Sequence, residues 1–355
     1  MQHLENKLNE RAHKGALRTL QDNNLLMDFC SNDYLGFARK NQIVHATHGS
    51  TGSRLISGHH TIHEEVEKNI AHFHQMEAAL IFNSGYDANL SFFSTIPQKG
   101  DTVIYDQLCH ASIRDGLRLG LARSFSFKHN DVGDLQQKIK QAKGTIFIVV
   151  ESIYSMDGDQ APLKELEQIC QNHQTHLVVD EAHATGIFGE NGEGLCQELG
   201  VIPFAKIHTF SKALGAHGAA IVGSQILKDY LINFARPFIY TTALPPHSIA
   251  VIQQAYNALH HCPERKQLLE NIHFFKTTFQ HPQLIESDSP IQCVIIGGNE
   301  KTKAIAKEIQ DKGMDVRPIL HPTVEEGSER IRICLHSFNT SEEIMQLCEL
   351  LKDVV

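Results

Sequence analysis

Between Ala79 and Val222 short apolar runs alternate with amphipathic stretches, and this alternation restricts the fold more than any other feature of the chain. Ala79–Phe82, Thr102–Tyr105, Ser124–Phe127, Thr145–Val150, His176–Val179, Lys206–Phe210 and Ala219–Val222 read as strands. Helical patterns occupy 89–96, 110–121, 131–141 and 162–173. Strands that alternate with helices predict a mostly parallel sheet covered on both faces, the α/β class.

The flanking regions differ. Residues 4–21 can form an amphipathic helix through Leu4, Leu8, Leu17 and Leu20, weakened in the middle by Gly15. Leu25–Phe29 reads as a short strand, Ser31–Gly36 as a turn, and the Gly- and Ser-rich run Gly49–Gly58 as a loop or a backbone contact to a ligand. A helix follows, with Thr61 as expected cap, Glu64 completing a capping box, and Ile62, Val66, Ile70 and Phe73 on one face. After Pro245-Pro246 a long helical stretch over about 247–280 leads to a smaller α+β part, with strands near 291–296 and 330–335 and helices near 300–312 and 341–352. The expected division is an N-terminal helix and strand over 1–48, a large domain over 49–246, and a small C-terminal domain with its linking helix over 247–355.

A chain of 355 residues that is 41% hydrophobic and 21% charged is composed like a soluble globular protein large enough for two lobes. Its formal charge of −9 and scattered basic residues argue against a nucleic-acid surface. No apolar run approaches the roughly 18 residues of a membrane helix, and Met1–Lys7 lacks the apolar core of a signal peptide. The eight cysteines are dispersed without a CxxC pair, which suits reduced thiols in a cytoplasmic enzyme. Among the 23 histidines, His59-His60 with His63 lacks a second ligand group at zinc-like spacing and reads as a polar helix entrance, so no metal is expected.

Two segments carry the chemistry. Asp180 ends the apolar run His176–Val179, at the strand end where α/β proteins bind ligands. Lys212 lies 32 residues later, between small residues after another strand. An acid and a lysine in that relation suit pyridoxal phosphate (PLP): the lysine can form a Schiff base with the aldehyde, and the carboxylate can hold a proton on the pyridine nitrogen. Apolar flanks would lower the lysine's pKa and free the amine for attack. His183 could reach the cofactor's phenolic oxygen, and the Thr209 hydroxyl its phosphate or the lysine. Gly85 joins a strand to a helix whose N-terminal N–H groups suit a phosphate. His110 could stack on the ring or merely cap its helix. Ser155 could donate a hydrogen bond into the same crevice, although Asp157-Gly158 beside it also reads as a plain turn.

Together these segments resemble the α-oxoamine synthases, PLP-dependent enzymes of fold type I, over nearly the whole chain from about Ala16. The resemblance implies an aspartate-aminotransferase-like large domain with a small α+β C-terminal domain. It further implies Lys212 as Schiff-base lysine, Asp180 as partner of the pyridine nitrogen, His183 and Ser155 as hydrogen-bond partners of the cofactor, and His110 as the ring-stacking residue. Gly85 and Tyr86 resemble the phosphate-side backbone site, Thr209 a contact near the lysine, and Thr242 a residue reaching the phosphate from a neighbouring subunit. Arg18, Asn32, Thr323 and Arg332 resemble substrate contacts, with Arg332 as the bidentate clamp on an amino-acid carboxylate.

Within the family, Ser31–Gly36, Gly52–Gly58 and Ala235–Pro246 are most similar to the enzymes that condense L-alanine with a pimeloyl thioester. That reaction yields 8-amino-7-oxononanoate, CoA and CO2 in biotin biosynthesis. A homodimer with shared active sites is implied with it. Two departures stand out: the connection from Gly36 to Gly49, near the substrate entrance, is shorter than the family's, which bears on the acyl chain, and Thr51 stands where a glycine is usual, which bears on the turn. The competing expectations are a sister synthase using glycine, serine or another acyl-CoA, and a PLP-binding protein without catalysis. The second has no need of the carboxylate clamp.

Overall fold

The computed structural model describes residues 2–17, 26–40 and 46–355. In chain order its strands are β1 (Met27–Asp28), β2 (Ala78–Phe82), β3 (Thr102–Asp106), β4 (Arg123–Phe127), β5 (Ile146–Glu151), β6 (His176–Asp180), β7 (Ala205–Thr209), β8 (Ala219–Gly223), β9 (Ile291–Ile295), β10 (Met314–Asp315), β11 (Arg317–Ile319) and β12 (Arg330–Cys334). Contacts divide the chain into two compact units, 35–154 with 160–262, and 1–34 with 155–159 and 263–355.

The larger unit holds a seven-stranded sheet in the order β2-β8-β7-β6-β5-β3-β4. Five strands, from β4 to β7, run parallel, and β8 runs antiparallel to both β7 and β2. The reversal has a simple cause. Only residues 210–218 separate β7 from β8, too few for the helical crossover that a parallel pair requires. Strands β5, β6 and β8 read as nearly unbroken apolar runs because both faces are covered; β7 is fully buried too but carries Lys206 and His208. The edge strand β4 (Arg-Ser-Phe-Ser-Phe) buries only its last residue. The helix Gly85–Thr95 covers one face, packing Ala88, Phe92 and Phe93 into a core with Leu80, Phe82, Ile207 and Ile221.

The smaller unit has a three-stranded antiparallel sheet, β11-β12-β9, and a parallel pair, β1 with β10. Helices Pro263–Thr278, Asn299–Asp311 and Ser341–Val354 belong to it. The segment 155–159 is tied to this sheet. Arg332 Nε donates to Ser155 O (2.9 Å), Cys293 Sγ to Met156 O (3.1 Å) and Ser287 Oγ to Gly158 O (2.8 Å), while Arg330 pairs with Asp157.

Three expectations need correction. The helical stretch 247–280 is two helices, Pro246–Leu259 and Pro263–Thr278, because Pro263 disfavours a helical residue before it and lacks a backbone donor. The helix at Thr61 is capped one residue earlier: His60 accepts from the His63 backbone, and the His63 side chain reaches back to His60. Glu64 is left to pair with His59 (2.9 Å). The N-terminal helix runs Gln2–His13, and its leucines Leu4 and Leu8 are exposed rather than seated on a core. Leu20 and Leu25 lie outside the described residues, as do 41–45 within the short connection after Gly36.

Candidate active site

The carboxyl ends of β6 and β7 and the turns after them carry several of the residues that the sequence singles out. Asp180 is the last residue of β6 and only 5% exposed. Its Oδ1 accepts from Ala182 N (3.0 Å) and its Oδ2 from Asn89 Nδ2 (2.8 Å). These donors hold the carboxylate in one orientation. Lys212 is half-buried in the connection between β7 and β8. That connection is folded by Phe210 N to Gly218 O (2.9 Å), Ala216 N to Phe210 O (3.0 Å) and Gly215 N to Lys212 O (2.9 Å). Gly215 sits at φ +59°, and a Cβ there would meet Ala38 N at 2.3 Å, so the turn that presents the lysine requires glycine. His183 is buried in the turn just after Asp180.

His110 caps the helix Ala111–Leu119 and has an exposed ring. Its Nδ1 lies 2.7 Å from Ser112 Oγ and receives Ser112 N–H at 3.3 Å. The surrounding protein pushes its pKa down, helped by the charges of Lys212 and Arg114 and opposed by Asp180 and Asp115. The ring is therefore neutral near pH 7. Of the two sequence readings of His110, the structure shows the helix cap.

The N-terminus of the helix Gly85–Thr95 leaves backbone donors over. Ser84 Oγ accepts from Asp87 N (3.1 Å), leaving the N–H groups of Gly85 and Tyr86 without intrahelical acceptors. Thr209, the last residue of β7, lies against this end: a Cβ on Gly85 would meet Thr209 Oγ1 at 2.3 Å. The Tyr86 side chain is turned away and donates to Asp115. Gly85→Ala is therefore expected to displace the Thr209 hydroxyl and weaken PLP binding about tenfold, with little loss of thermal stability. Fluorescence titration with PLP and a melting curve measure the two effects.

In the smaller unit, Arg332 donates through Nη2 to Asn32 Oδ1 (3.1 Å), which also accepts from Tyr34 Oη (3.0 Å). These bonds and the one to Ser155 O fix the guanidinium plane. Thr323 lies in the same unit, in a cleft of about 240 Å3 lined by Arg11, Leu17, Pro318 and His321. Thr242 is exposed in the larger unit, where Asn83 Nδ2 holds its carbonyl (2.9 Å). Arg18 lies outside the described residues.

Asn89 and Ser112 went unassigned in the sequence, as did Glu151, which is buried opposite Asp180 in the β5–β6 register. The available signal was an amide on the apolar face of a helix, one turn beyond Gly85. The residues present fit PLP. A pre-oriented buried carboxylate, a half-buried amine and helix-terminal N–H groups at a glycine too close to Thr209 to carry a side chain are the groups that would hold it.

Residues 25–351 match the family described as aminotransferase class I and II. The chain belongs to this family. It is 39% identical over 332 residues to 8-amino-7-oxononanoate synthase 2 of Bacillus subtilis, covering 90% of this chain and 85% of that protein. It is 38% identical over 350 residues to 8-amino-7-oxononanoate synthase of Cellvibrio japonicus, covering 94% and 88%. Among solved structures, serine palmitoyltransferase from S. paucimobilis with bound PLP and myriocin superposes with a TM-score of 0.88 at 26% identity, over 99% of this chain and 96% of that one. 8-Amino-7-oxononanoate synthase from Francisella tularensis superposes with a TM-score of 0.81 at 28% identity, over 93% and 98%. These relatives place the chain in the α-oxoamine synthase branch of the family, with its fold type I architecture. The protein is an enzyme, a PLP-dependent acyltransferase.

Proposed function

We propose that this enzyme makes 8-amino-7-oxononanoate from L-alanine and a pimeloyl thioester, releasing CoA and CO2, as a step of biotin synthesis. The observation that carries the reading is likeness in sequence: curated relatives bearing that activity in their names match at 38–39% identity over most of both chains, while the solved structures of both activities match alike, at 26–28%.

In this reading PLP, held at the ends of β6 and β7, supplies an electron sink for a carbanion at the amino acid's Cα. Asp180 keeps the proton on the pyridine nitrogen, with His110 against the ring face and His183 and Ser155 as hydrogen-bond partners. The N–H groups of Gly85 and Tyr86 and the Thr209 hydroxyl bind the phosphate. Lys212 Nζ removes the Cα proton, so that Cα attacks the thioester carbonyl and the CoA thiolate leaves. The resulting β-keto acid loses CO2, and Lys212 returns a proton to Cα. Arg332 is assigned to the amino-acid carboxylate, which its fixed guanidinium plane suits. Asn32, Thr323 and Arg18 are assigned to the remaining substrate contacts. A cytoplasmic homodimer, in which Thr242 serves the phosphate of a second copy, completes the assignment. No helix among the described residues is long and apolar enough to cross a membrane.

The shape likeness to serine palmitoyltransferase favours one competitor, a synthase using serine and a long acyl thioester. Purified, PLP-loaded protein decides between them. L-Alanine is expected to change the visible absorbance of the bound cofactor, and adding pimeloyl-CoA should release free thiol and a product with the mass of 8-amino-7-oxononanoate. An absorbance change with serine or glycine but not alanine, and thiol release only from palmitoyl-CoA, would transfer the enzyme to the sister activity.

A further inference from the structure

Asn89 is 3% exposed, on the helix face that packs over the sheet, and both hydrogens of its amide nitrogen are engaged. Nδ2 donates to Asp180 Oδ2 at 2.8 Å and to Ser112 Oγ at 3.0 Å, while Oδ1 is buried with no hydrogen-bond partner. The orientation of the amide is forced, since a carboxylate can only accept. An orphaned buried carbonyl oxygen is destabilising, and a leucine of similar volume would avoid it. Fold stability alone therefore disfavours asparagine here. A requirement for two donors aimed in two directions accounts for it.

The direction of the bonds continues beyond Asn89. Ser112 N–H donates to His110 Nδ1 (3.3 Å), and the Ser112 hydroxyl, which accepts from Asn89, keeps its own hydrogen to donate to the same nitrogen, 2.7 Å away. Nδ1 is then an acceptor, and the ring proton resides on Nε2. We propose that Asn89 and Ser112 are positioning residues: a one-way hydrogen-bond chain that aims the Asp180 carboxylate at the pyridine nitrogen and locks His110 as the neutral Nε2–H tautomer against the ring. The charged groups acting on His110 agree with this. Lys212 and Arg114 favour the neutral ring, and burial does the same, outweighing Asp180 and Asp115. The chain makes the two cofactor-facing groups interdependent, so a change at Asn89 is felt at His110, 21 residues along the sequence.

The inference rests on PLP occupying this site, and the wild-type control separates the two: wild-type protein that fails to bind PLP defeats the cofactor reading itself. Asn89→Leu, Asn89→Asp and Ser112→Ala are compared by PLP titration, by the pH at which the bound cofactor's visible absorbance changes, and by 15N NMR of the His110 ring. Asn89→Leu keeps the volume and removes both donors, and PLP affinity is expected to fall about 10- to 100-fold, the range for one hydrogen bond to a charged group. Asn89→Asp places a second carboxylate against Asp180, which must share a proton. Its loss is expected to be largest above pH 8 and to shrink toward pH 5, a trend absent from Asn89→Leu. Ser112→Ala spares the Asp180 contact, so affinity stays within about threefold while the His110 nitrogen signals move toward a tautomer mixture. Wild-type affinity and an unmoved absorbance titration in Asn89→Leu would overturn the proposal. If neither Asn89 variant folds, an unchanged His110 spectrum in Ser112→Ala does so instead.

Discussion

Replacing Lys212 by alanine is expected to lower CoA release by at least three to four orders of magnitude while leaving the protein folded, since proton transfer by one positioned group is worth about 10²–10⁴-fold and the covalent link to the cofactor is lost with it. The structure explains both halves of this outcome. Lys212 is half-buried, and its turn is held by backbone bonds between Phe210, Ala216 and Gly218 that do not involve its side chain. Truncation therefore removes a nitrogen without opening a core cavity, and the melting temperature should hold within a few degrees. Lys212→Arg tests the same point differently. A guanidinium keeps the charge but stays protonated, and activity should remain lost. Thiol release within tenfold of wild type in either variant would mean that another residue is the base.

The second large effect is acid destabilisation, and it arises on the sheet face away from the Thr209 side chain. Lys206 and His208 alternate with Ile207 and Thr209 along β7. His208 and His74 are fully buried and stack at 3.6 Å with an interplanar angle of 17°. Their remaining neighbours are Glu193 O and Tyr256 Oη at the two nitrogens of His74, and Thr185 Oγ1 at His208 Nδ1. Lys206 Nζ donates to His74 O (2.7 Å).

Burial pushes both histidines well below the usual range, and the Lys206 charge lowers each further, as does each ring's neighbour in the case of His208. Both rings are neutral in the folded protein, whereas in the unfolded chain they take up protons near pH 6.5. The sign follows: stability is fully present above pH 6.5 and is lost as the pH falls, at up to about 1.4 kcal/mol per pH unit for each ring. Two rings give about 2.7 kcal/mol per unit, a large share of the 5–15 kcal/mol typical of a folded domain. Urea unfolding at pH 7.5, 6.5 and 5.5 should show this slope, and His208→Leu should reduce it by about one proton. Parallel slopes in variant and wild type would show that other groups govern acid unfolding.

Much of this molecule is legible along the chain. Each strand of the large sheet lies within a residue of an apolar run, because covered parallel strands exclude polar residues from both faces. The positions of Asp180 and Lys212 follow from where those runs stop. Other features escape periodicity. The antiparallel β8 depends on the length of a connection, the division of the stretch 247–280 on a single proline, and the cap at His60 on a pair of histidine side chains that composition would assign to neighbouring Thr61 and Glu64. The leucines of the helix Gln2–His13 have the right spacing for a buried face and are exposed.

The sequence by itself determined the class of sheet, the acid at the end of β6, the lysine after β7, and the glycine that opens the helix Gly85–Thr95. These are local matters, decided by burial and by the volume of one side chain. Tertiary structure alone decided what the two oxygens of Asp180 meet, which nitrogen of His110 carries the proton, and that two histidines far apart in the chain stack beneath the sheet. Hydrogen bonds act over about 3 Å and in one direction. Residues 91 positions apart, such as Asn89 and Asp180, acquire that geometry only when the helix Gly85–Thr95 is laid across the end of β6.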